Sequence, residues 1–109
     1  MINFAVIDLG SNSVRMTITQ IKDDGTTKVT HQLKEMVRLS EDMGAEKVLQ
    51  EEPIKRTLEA LKNFEKVYEN LPHLHIEALA TAAVRAATNQ AEFLQLVKKK
   101  VGIDFEVIT

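Results

Sequence analysis

Residues 8–13 read Asp8-Leu9-Gly10-Ser11-Asn12-Ser13, and they separate two segments that predict β-strands. The preceding run, Phe4-Ala5-Val6-Ile7, is apolar throughout, which is typical of a buried strand. The following residues 14–19 alternate apolar and polar side chains, which is typical of a strand with one face in water. The N-terminal sequence therefore predicts two strands joined by a short polar loop.

The polar loop has two interpretations. Gly, Ser, Asn and Asp dominate ordinary turns for conformational reasons, so a plain hairpin turn explains the composition. Alternatively, the loop binds a phosphate: Gly10 can take a positive φ and lets a ligand approach the backbone closely, and the backbone N–H groups with the hydroxyls of Ser11 and Ser13 can converge on an anion. Asp8, at the end of a buried strand, would then suit a hard cation or its water shell. Six residues do not decide between the two interpretations.

The composition excludes several classes of function. A chain of 109 residues forms one domain or part of one. Its net charge of −2 and its five aromatic residues provide neither the field nor the stacking surface typical of nucleic-acid binding, and no attraction to anionic lipid. The absence of cysteine excludes disulfides, thiolate zinc sites and cysteine nucleophiles. The close pair His73 and His75 is too few ligands for a typical zinc site.

The chain carries no sign of membrane insertion or secretion. No apolar run approaches the ~20 residues that a membrane-spanning helix needs. The N-terminus lacks the basic segment and long apolar stretch of a secretory signal. We therefore expect a cytoplasmic protein.

The remaining sequence predicts further strands and helices at regular intervals. The turn signal Asp24-Gly25 leads into a third strand whose Val29, His31, Leu33 and Glu35 share one face. Asn89 is predicted to cap the second helix, with Glu92 as its capping-box partner. The predicted elements are a third strand over residues 28–37, a loop over 38–44, a helix over 51–70, a strand over 75–80, a small-residue turn over 81–85, a helix over 90–101 and a strand over 105–109.

The predicted order β-β-β-α-β-α-β gives an α/β fold with a mixed sheet. Right-handed crossovers place the fourth and fifth strands parallel to the first. Ligands in such sheets bind beyond the carboxyl ends of parallel strands, where Asp8, Thr81 and Thr109 fall. The polar loop and the residues around Arg85 thus meet at one edge of the sheet, which favours the phosphate-binding interpretation. The last strand has no helix after it, so we expect a piece of a longer protein.

Two motifs resemble the exopolyphosphatase/guanosine pentaphosphate phosphatase family. They are Ala5-Val6-Ile7-Asp8-Leu9-Gly10-Ser11-Asn12-Ser13-Val14-Arg15 and Ala80-Thr81-Ala82-Ala83-Val84-Arg85. The first alone is shared loosely with sugar kinases, actin and heat-shock ATPases, and the pair at this spacing is much more specific. The resemblance covers the whole chain in order and includes Gly102-Ile103-Asp104-Phe105-Glu106-Val107-Ile108-Thr109.

The resemblance implies a fold, an activity and site residues. The fold is the ribonuclease-H-like topology of the actin-like ATPase superfamily, here the first part of an N-terminal lobe spanning residues 1–109. The implied reaction is attack of water on the terminal phosphorus of inorganic polyphosphate or guanosine pentaphosphate, assisted by Mg²⁺. The implied metal ligand is Asp8, and the implied substrate-binding residues are Gly10, Ser11, Asn12, Ser13, Arg38, Thr81 and Arg85.

The resemblance also implies what the chain lacks. The catalytic glutamate of the family lies in an acidic stretch that would follow Thr109, so no catalytic residue is expected within residues 1–109 and the isolated chain is expected to be inactive. Two alternatives stay open: a lobe of a sugar kinase or actin-like ATPase, and a non-catalytic module that binds polyphosphate or the alarmone. The sequence does not separate the two substrates, and it leaves the oligomeric state open, a homodimer of the full-length protein included.

Overall fold

The structure, a computed structural model, describes residues 1–108, and Thr109 lies outside the described residues. The strand end predicted at Thr109 therefore also lies outside the described residues. The elements in chain order are β1 (Ile2–Leu9), β2 (Ser13–Ile21), β3 (Thr27–Met36), α1 (Glu51–Tyr68), β4 (Leu74–Ala80), α2 (Ala82–Ala86), α3 (Gln90–Val101) and β5 (Phe105–Val107).

The strands form one mixed sheet in the order β3-β2-β1-β4-β5. β1 and β2 pair antiparallel, as do β2 and β3, whereas β4 runs parallel to β1 and β5 runs parallel to β4. Because β4 lies beside β1, the carboxyl ends of these two strands meet at one edge of the sheet. The predicted α/β architecture and strand directions are confirmed.

The helices cover one face of the sheet. Alternate residues of β1 and β2 are fully buried, because successive strand side chains point to opposite faces: Ala5, Ile7, Leu9, Val14, Met16 and Ile18. Phe64 of α1 and Phe93 of α3 pack into the same core, and burial of one such side chain contributes about 1.5–3 kcal/mol. Gly102 ends α3 with φ 68°, the left-handed conformation that favours glycine at this position.

The edge strand β3 corrects one prediction. Ile18 pairs with His31 but Thr19 pairs with Val29, so Thr30 is an extra residue that forms a β-bulge. An extra residue reverses the alternation of side chains, and it places Val29 and His31 on opposite faces rather than on one. Val29 is 52% exposed, which agrees with a position at the sheet edge.

Two further predictions are wrong near the second helix. Residues 82–86 form the short helix α2 rather than a turn, because alanine is the strongest helix former and the Arg85 N–H bonds to the Thr81 carbonyl at 2.8 Å. Asn89 makes no side-chain cap on α3. Its carboxamide instead bonds to the backbone of Leu49, accepting from the N–H at 2.9 Å and donating to the carbonyl at 3.1 Å.

Candidate functional site

The turn between β1 and β2, residues Gly10–Ser13, is called the first loop. The Gly10 N–H donates to the Ser13 carbonyl at 2.9 Å and closes the turn. Gly10 does not adopt a positive φ, so the loop does not use the left-handed conformation that is open to glycine. A Cβ at this position would lie 3.6 Å from the Ser13 carbonyl oxygen and 3.9 Å from Thr81 Oγ1, which are ordinary van der Waals contacts. The absence of a side chain therefore keeps the space beside Thr81 open.

Two N–H groups of the first loop are available for an anion. The Ser11 carbonyl accepts from the Ser40 N–H at 3.1 Å, and the Asn12 carbonyl accepts from Val37 and Arg38, each at 2.9 Å. A planar trans peptide carries its C=O and the next N–H on opposite sides, so the inward Ser11 carbonyl turns the Asn12 N–H away from the protein. Within residues 1–108, neither the Ser11 N–H nor the Asn12 N–H has an acceptor.

Residues 81–85 follow β4 and comprise Thr81 and most of the short helix α2. We call them the second loop, and Thr81 contacts the first loop directly. The Thr81 N–H donates to the Leu9 carbonyl at 3.0 Å, and the Thr81 hydroxyl reaches the same oxygen at 3.4 Å. One carbonyl at the end of β1 therefore ties the two loops together. The predicted convergence of the loop after the first strand and the loop after the fourth is present in the structure.

Two arginines flank these loops. Arg85 is exposed, and its Nη1 donates to the Ile108 carbonyl at 2.9 Å, just beyond β5. A guanidinium has five N–H donors, so most of its capacity stays available to a ligand. Arg38 is exposed at the opposite side of the first loop, and its guanidinium has no hydrogen bond or ion pair within the described chain. Its backbone φ is 47°, an uncommon value for a residue other than glycine.

Asp8 is an isolated acidic side chain near the end of β1. It is exposed and pairs in the ladder with Arg15 on one side and Leu79 on the other. Residues 1–108 contain no group of three or more His, Asp or Glu side chains that could hold a metal ion. A single carboxylate does fit Mg²⁺, which usually keeps several waters and takes one or two carboxylates together with substrate phosphates.

Three acidic side chains are candidates for a general base, and each is already bonded or lies within a strand. The Glu41 carboxylate pairs with Arg56 at 3.0 Å. The Glu35 oxygens accept weakly from Asn63 of α1 at 3.4 and 3.5 Å. Glu77 lies in the middle of β4 opposite Val6. None of the three is positioned as a general base for a phosphate at the first loop.

Perturbed pKa values occur at the other end of the sheet. Burial, with smaller contributions from Glu65 and Glu69, raises the pKa of Tyr68 to about 12. Hydrogen bonds from the Thr26 hydroxyl and N–H lower the pKa of Asp24 in the β2–β3 turn. Both groups lie away from the first and second loops and take no part in the candidate site.

The site is an open edge rather than an enclosed cavity. A depression of about 330 Å³ lies between β2 and β3, lined by residues such as Arg15, Thr17, Gln32 and Lys34. A smaller one of about 180 Å³ lies by Gly102 and Asp104. Neither includes the first or the second loop, so the candidate site rests on its polar groups and not on a pocket.

Arg56 of α1 makes contacts near the first loop that no sequence pattern indicated. Its Nε donates to the Val37 carbonyl at 3.0 Å, and its Nη2 donates to Glu41 at 3.0 Å. An arginine within an amphipathic helix is ordinarily a solvated surface residue. The backbone carbonyl that it contacts comes from a distant loop, which residue types and spacing do not specify.

Comparisons with known proteins place the chain among phosphatases. A sequence model of the Ppx/GppA phosphatase family matches residues 17–109. The guanosine-5'-triphosphate,3'-diphosphate pyrophosphatase of Vibrio vulnificus is 34% identical over 106 residues, which are 97% of this chain and 21% of that protein. This chain thus spans about a fifth of the length of that relative.

Solved structures agree with the sequence comparison. The crystal structure of the Aquifex aeolicus member of the Ppx/GppA family superposes with a TM-score of 0.92 at 39% identity, covering 99% of this chain and 35% of that one. An exopolyphosphatase from Cytophaga hutchinsonii gives a TM-score of 0.90 at 32% identity, covering 97% of this chain and 34% of that one. The five-stranded mixed sheet is therefore part of the actin-like ATPase fold of these proteins.

Proposed function

Because this chain belongs to the Ppx/GppA phosphatase family, we propose that it supplies phosphate-binding groups to a phosphohydrolase. The proposed reaction removes the terminal phosphate of inorganic polyphosphate or guanosine pentaphosphate by magnesium-assisted attack of water. The observation that carries the proposal is the junction of the two loops at the Leu9 carbonyl, with the Ser11 and Asn12 N–H groups without acceptors beside it. Oriented N–H groups and arginines are the donors that recognise phosphate.

Each of the two loops is proposed to bind a different part of a phosphate chain. The first loop, Gly10 to Ser13, offers directional N–H and hydroxyl donors to one phosphate. Thr81 offers a hydroxyl at the junction, and Arg85 offers a planar guanidinium that can bind two oxygens of a phosphate at once. Arg38 offers a second cation on the other side of the first loop. This arrangement suits an extended polyanion better than a single small anion.

Asp8 is the proposed ligand of a magnesium ion, directly or through water. A bound Mg²⁺ would neutralise phosphate charge and polarise the phosphoryl oxygens. Asp8 has no ion-pair partner among the residues that the structure describes, so its carboxylate is available to a cation. The exposed location leaves room for the water ligands that Mg²⁺ retains.

Both proposed substrates end in a phosphoanhydride, and the relatives carry names for both. The Vibrio vulnificus relative is named a guanosine-5'-triphosphate,3'-diphosphate pyrophosphatase, and the Cytophaga hutchinsonii protein is named an exopolyphosphatase. The groups at the two loops are proposed to contact the phosphates and not the guanine ring. Discrimination between the substrates is therefore proposed to depend on groups other than these.

A binding role without hydrolysis is the second candidate for the chain by itself. Glu35 and Glu41 are already bonded and Glu77 lies in the middle of β4, so we do not assign any of the three as a general base. A general base contributes roughly 10²- to 10⁴-fold to such reactions. We expect the purified chain to bind polyphosphate and to release no significant phosphate from it, with Mg²⁺ present.

Nuclear magnetic resonance of the chain with inorganic tripolyphosphate tests the proposal. We expect the amide signals of Ser11 and Asn12 to shift first and to saturate, with a stronger response when Mg²⁺ is added. ATP should bind no more tightly than tripolyphosphate, since no adenosine pocket is proposed here. Shifts confined to Lys98–Lys100 would indicate unspecific ionic contact and would contradict the proposed site.

A further inference from the structure

A segment of five residues, Val37–Glu41, lies between the first loop and helix α1, and we call it the support segment. Three of its N–H groups bond to first-loop carbonyls: Val37 and Arg38 to Asn12, and Ser40 to Ser11. These are the bonds that turn the Ser11 and Asn12 carbonyls inwards. Because the peptide is planar, the Ser11 carbonyl sets the direction of the available Asn12 N–H, and that direction depends on the bond from Ser40. The bonds from Val37 and Arg38 fix the next peptide of the first loop.

The opposite side of the support segment is held by one side chain. Arg56 donates from Nε to the Val37 carbonyl at 3.0 Å and makes a long contact from Nη2 to the Arg38 carbonyl at 3.5 Å. The same Nη2 pairs with Glu41 at 3.0 Å. Val37 and Arg38 are thus fixed on both sides, by their N–H groups to Asn12 and by their carbonyls to Arg56.

The backbone of Arg38 shows why such a clamp is needed. Its φ of 47° lies in the left-handed region, which is unfavourable for a residue with a Cβ. On the other side of this strained residue, the N–H groups of Val37 and Arg38 both bond to the single carbonyl of Asn12. An unfavourable backbone conformation persists only where its surroundings hold it, and Arg56 supplies the contacts on the helix side.

We propose that Arg56 is a positioning residue for the phosphate site. It acts through the support segment on the first loop, and it fixes the backbone from which the Arg38 guanidinium extends. The inference rests on the proposed function for the identity of the ligand, whereas the contacts themselves do not. A planar guanidinium reaches a carbonyl and a carboxylate at once, which a lysine ammonium on a flexible stem does not.

If Arg56 had only a structural role, its loss would lower the stability of the fold rather than change binding alone. Helix α1 is anchored in the core by Leu61 and Phe64, and Val37 and Leu39 of the support segment are buried independently of Arg56. Loss of Arg56 is therefore expected to loosen the support segment and the first loop without unfolding the sheet. This separates a local change in binding from a general loss of stability.

The test compares Arg56→Met with Lys55→Met, which removes the same charge from an exposed neighbour on the same helix. Arg56→Met should weaken binding of tripolyphosphate by roughly 2- to 30-fold, and Lys55→Met should leave it close to that of the unaltered chain. Amide hydrogen exchange at Val37, Arg38 and Ser40 should accelerate in Arg56→Met, while the amides of β1 stay protected. Arg56→Lys should fall between the two variants in both measurements.

The outcomes separate this inference from the proposed function. If the unaltered chain binds no tripolyphosphate, the proposed function fails, and the exchange rates alone decide whether Arg56 holds the support segment. If the unaltered chain binds and Arg56→Met binds equally well, the positioning role is overturned. If Arg56→Met does not fold, Arg56→Lys decides: affinity and exchange equal to those of the unaltered chain would overturn the inference.

Discussion

The first and second loops lie side by side but are held in different ways. The first loop is bonded on its inner side by the N–H groups of Val37, Arg38 and Ser40. The second loop is joined to β1 through Thr81, and its charged group, Arg85, has one contact, to the Ile108 carbonyl. The first loop thus presents fixed peptide dipoles, whereas the second presents a charge on a long side chain.

This difference predicts how each loop responds to substitution. Donors fixed before the ligand arrives require little reorganisation on binding, but they depend on the groups that fix them. A mobile guanidinium depends little on its surroundings and mainly on its own presence. Changes to supporting residues should therefore affect the first loop, and changes to the binding residue itself should affect the second.

Replacement of Asn89 by alanine should have the largest effect, because Asn89 joins the start of α3 to the segment that precedes α1. Its carboxamide satisfies both the N–H and the carbonyl of Leu49, a residue that is 3% exposed. Leaving two buried backbone groups without partners should lower the free energy of unfolding by about 2–4 kcal/mol. Urea denaturation of the chain measures this change.

Thr88→Val is the matched control for Asn89→Ala. Thr88 also bonds across to the segment ahead of α1, through its hydroxyl to the Lys47 carbonyl at 3.2 Å, but it is exposed. Water can replace that bond, so we expect a loss below about 1 kcal/mol. Equal losses in the two variants would show that the Asn89 contacts are not buried in solution.

Arg85→Ala should reduce affinity strongly and stability hardly at all. The loss of a charge-assisted donor should cost about 1.5–3 kcal/mol of binding free energy for tripolyphosphate. The free energy of unfolding should change by no more than about 0.5 kcal/mol, since the side chain is exposed. Calorimetric titration and urea denaturation give the two quantities.

Arg85→Lys sharpens the same comparison. It keeps the charge but loses the planar pair of donors, so its affinity should lie between that of Arg85→Ala and that of the unaltered chain. If Arg85→Ala binds tripolyphosphate normally, the role proposed for Arg85 is wrong. The second loop would then serve only to support the end of β1.

The sequence predicts the framework better than the loops. Strand alternation, the Asp24-Gly25 turn and the glycine at 102 are local signals, and the strand order and directions that follow from them are confirmed. The β-bulge at Thr30 was not predicted, because a bulge is defined by the pairing between two strands and not by a local sequence signal. Asn89 has the residue type of a helix cap, but a buried backbone segment forty residues earlier in the chain is its actual partner.

The candidate site was predictable in location and not in detail. The positions of Gly10–Ser13 and Thr81 at the ends of parallel strands follow from topology, and the structure brings them together. The clamp by Arg56 depends on where the Val37 carbonyl points, which is set by the left-handed backbone at Arg38. Sequence spacing contains no information on the direction of a single carbonyl.

Gly10→Ala should separate binding from folding at the junction of the loops. The φ of Gly10 is not left-handed and a Cβ meets only ordinary contacts, so the free energy of unfolding should change by less than about 1 kcal/mol. The added methyl group fills space beside the Thr81 hydroxyl, and tripolyphosphate should bind more weakly. Gly44→Ala is the converse control, since Gly44 has φ 67° in open space and its replacement should cost stability and not affinity.

Glu41→Gln should have the smallest effect and decides what fixes the first loop. The Glu41–Arg56 pair has side chains that are 39% and 36% exposed, and such surface pairs contribute about 0–1 kcal/mol. Glutamine keeps an oxygen that can accept from Arg56, while both carbonyl contacts of Arg56 remain. We therefore expect a loss of unfolding free energy below about 0.5 kcal/mol at low salt, and none at about 1 M salt, where the screening length falls to about 3 Å. Urea denaturation at the two salt concentrations measures this loss.

A loss above about 1 kcal/mol would mean that the ion pair, rather than the bonds to Val37 and Arg38, holds the support segment. The rigidity of the first loop would then vary with ionic strength. At high salt the first loop would be held no more firmly than the second loop.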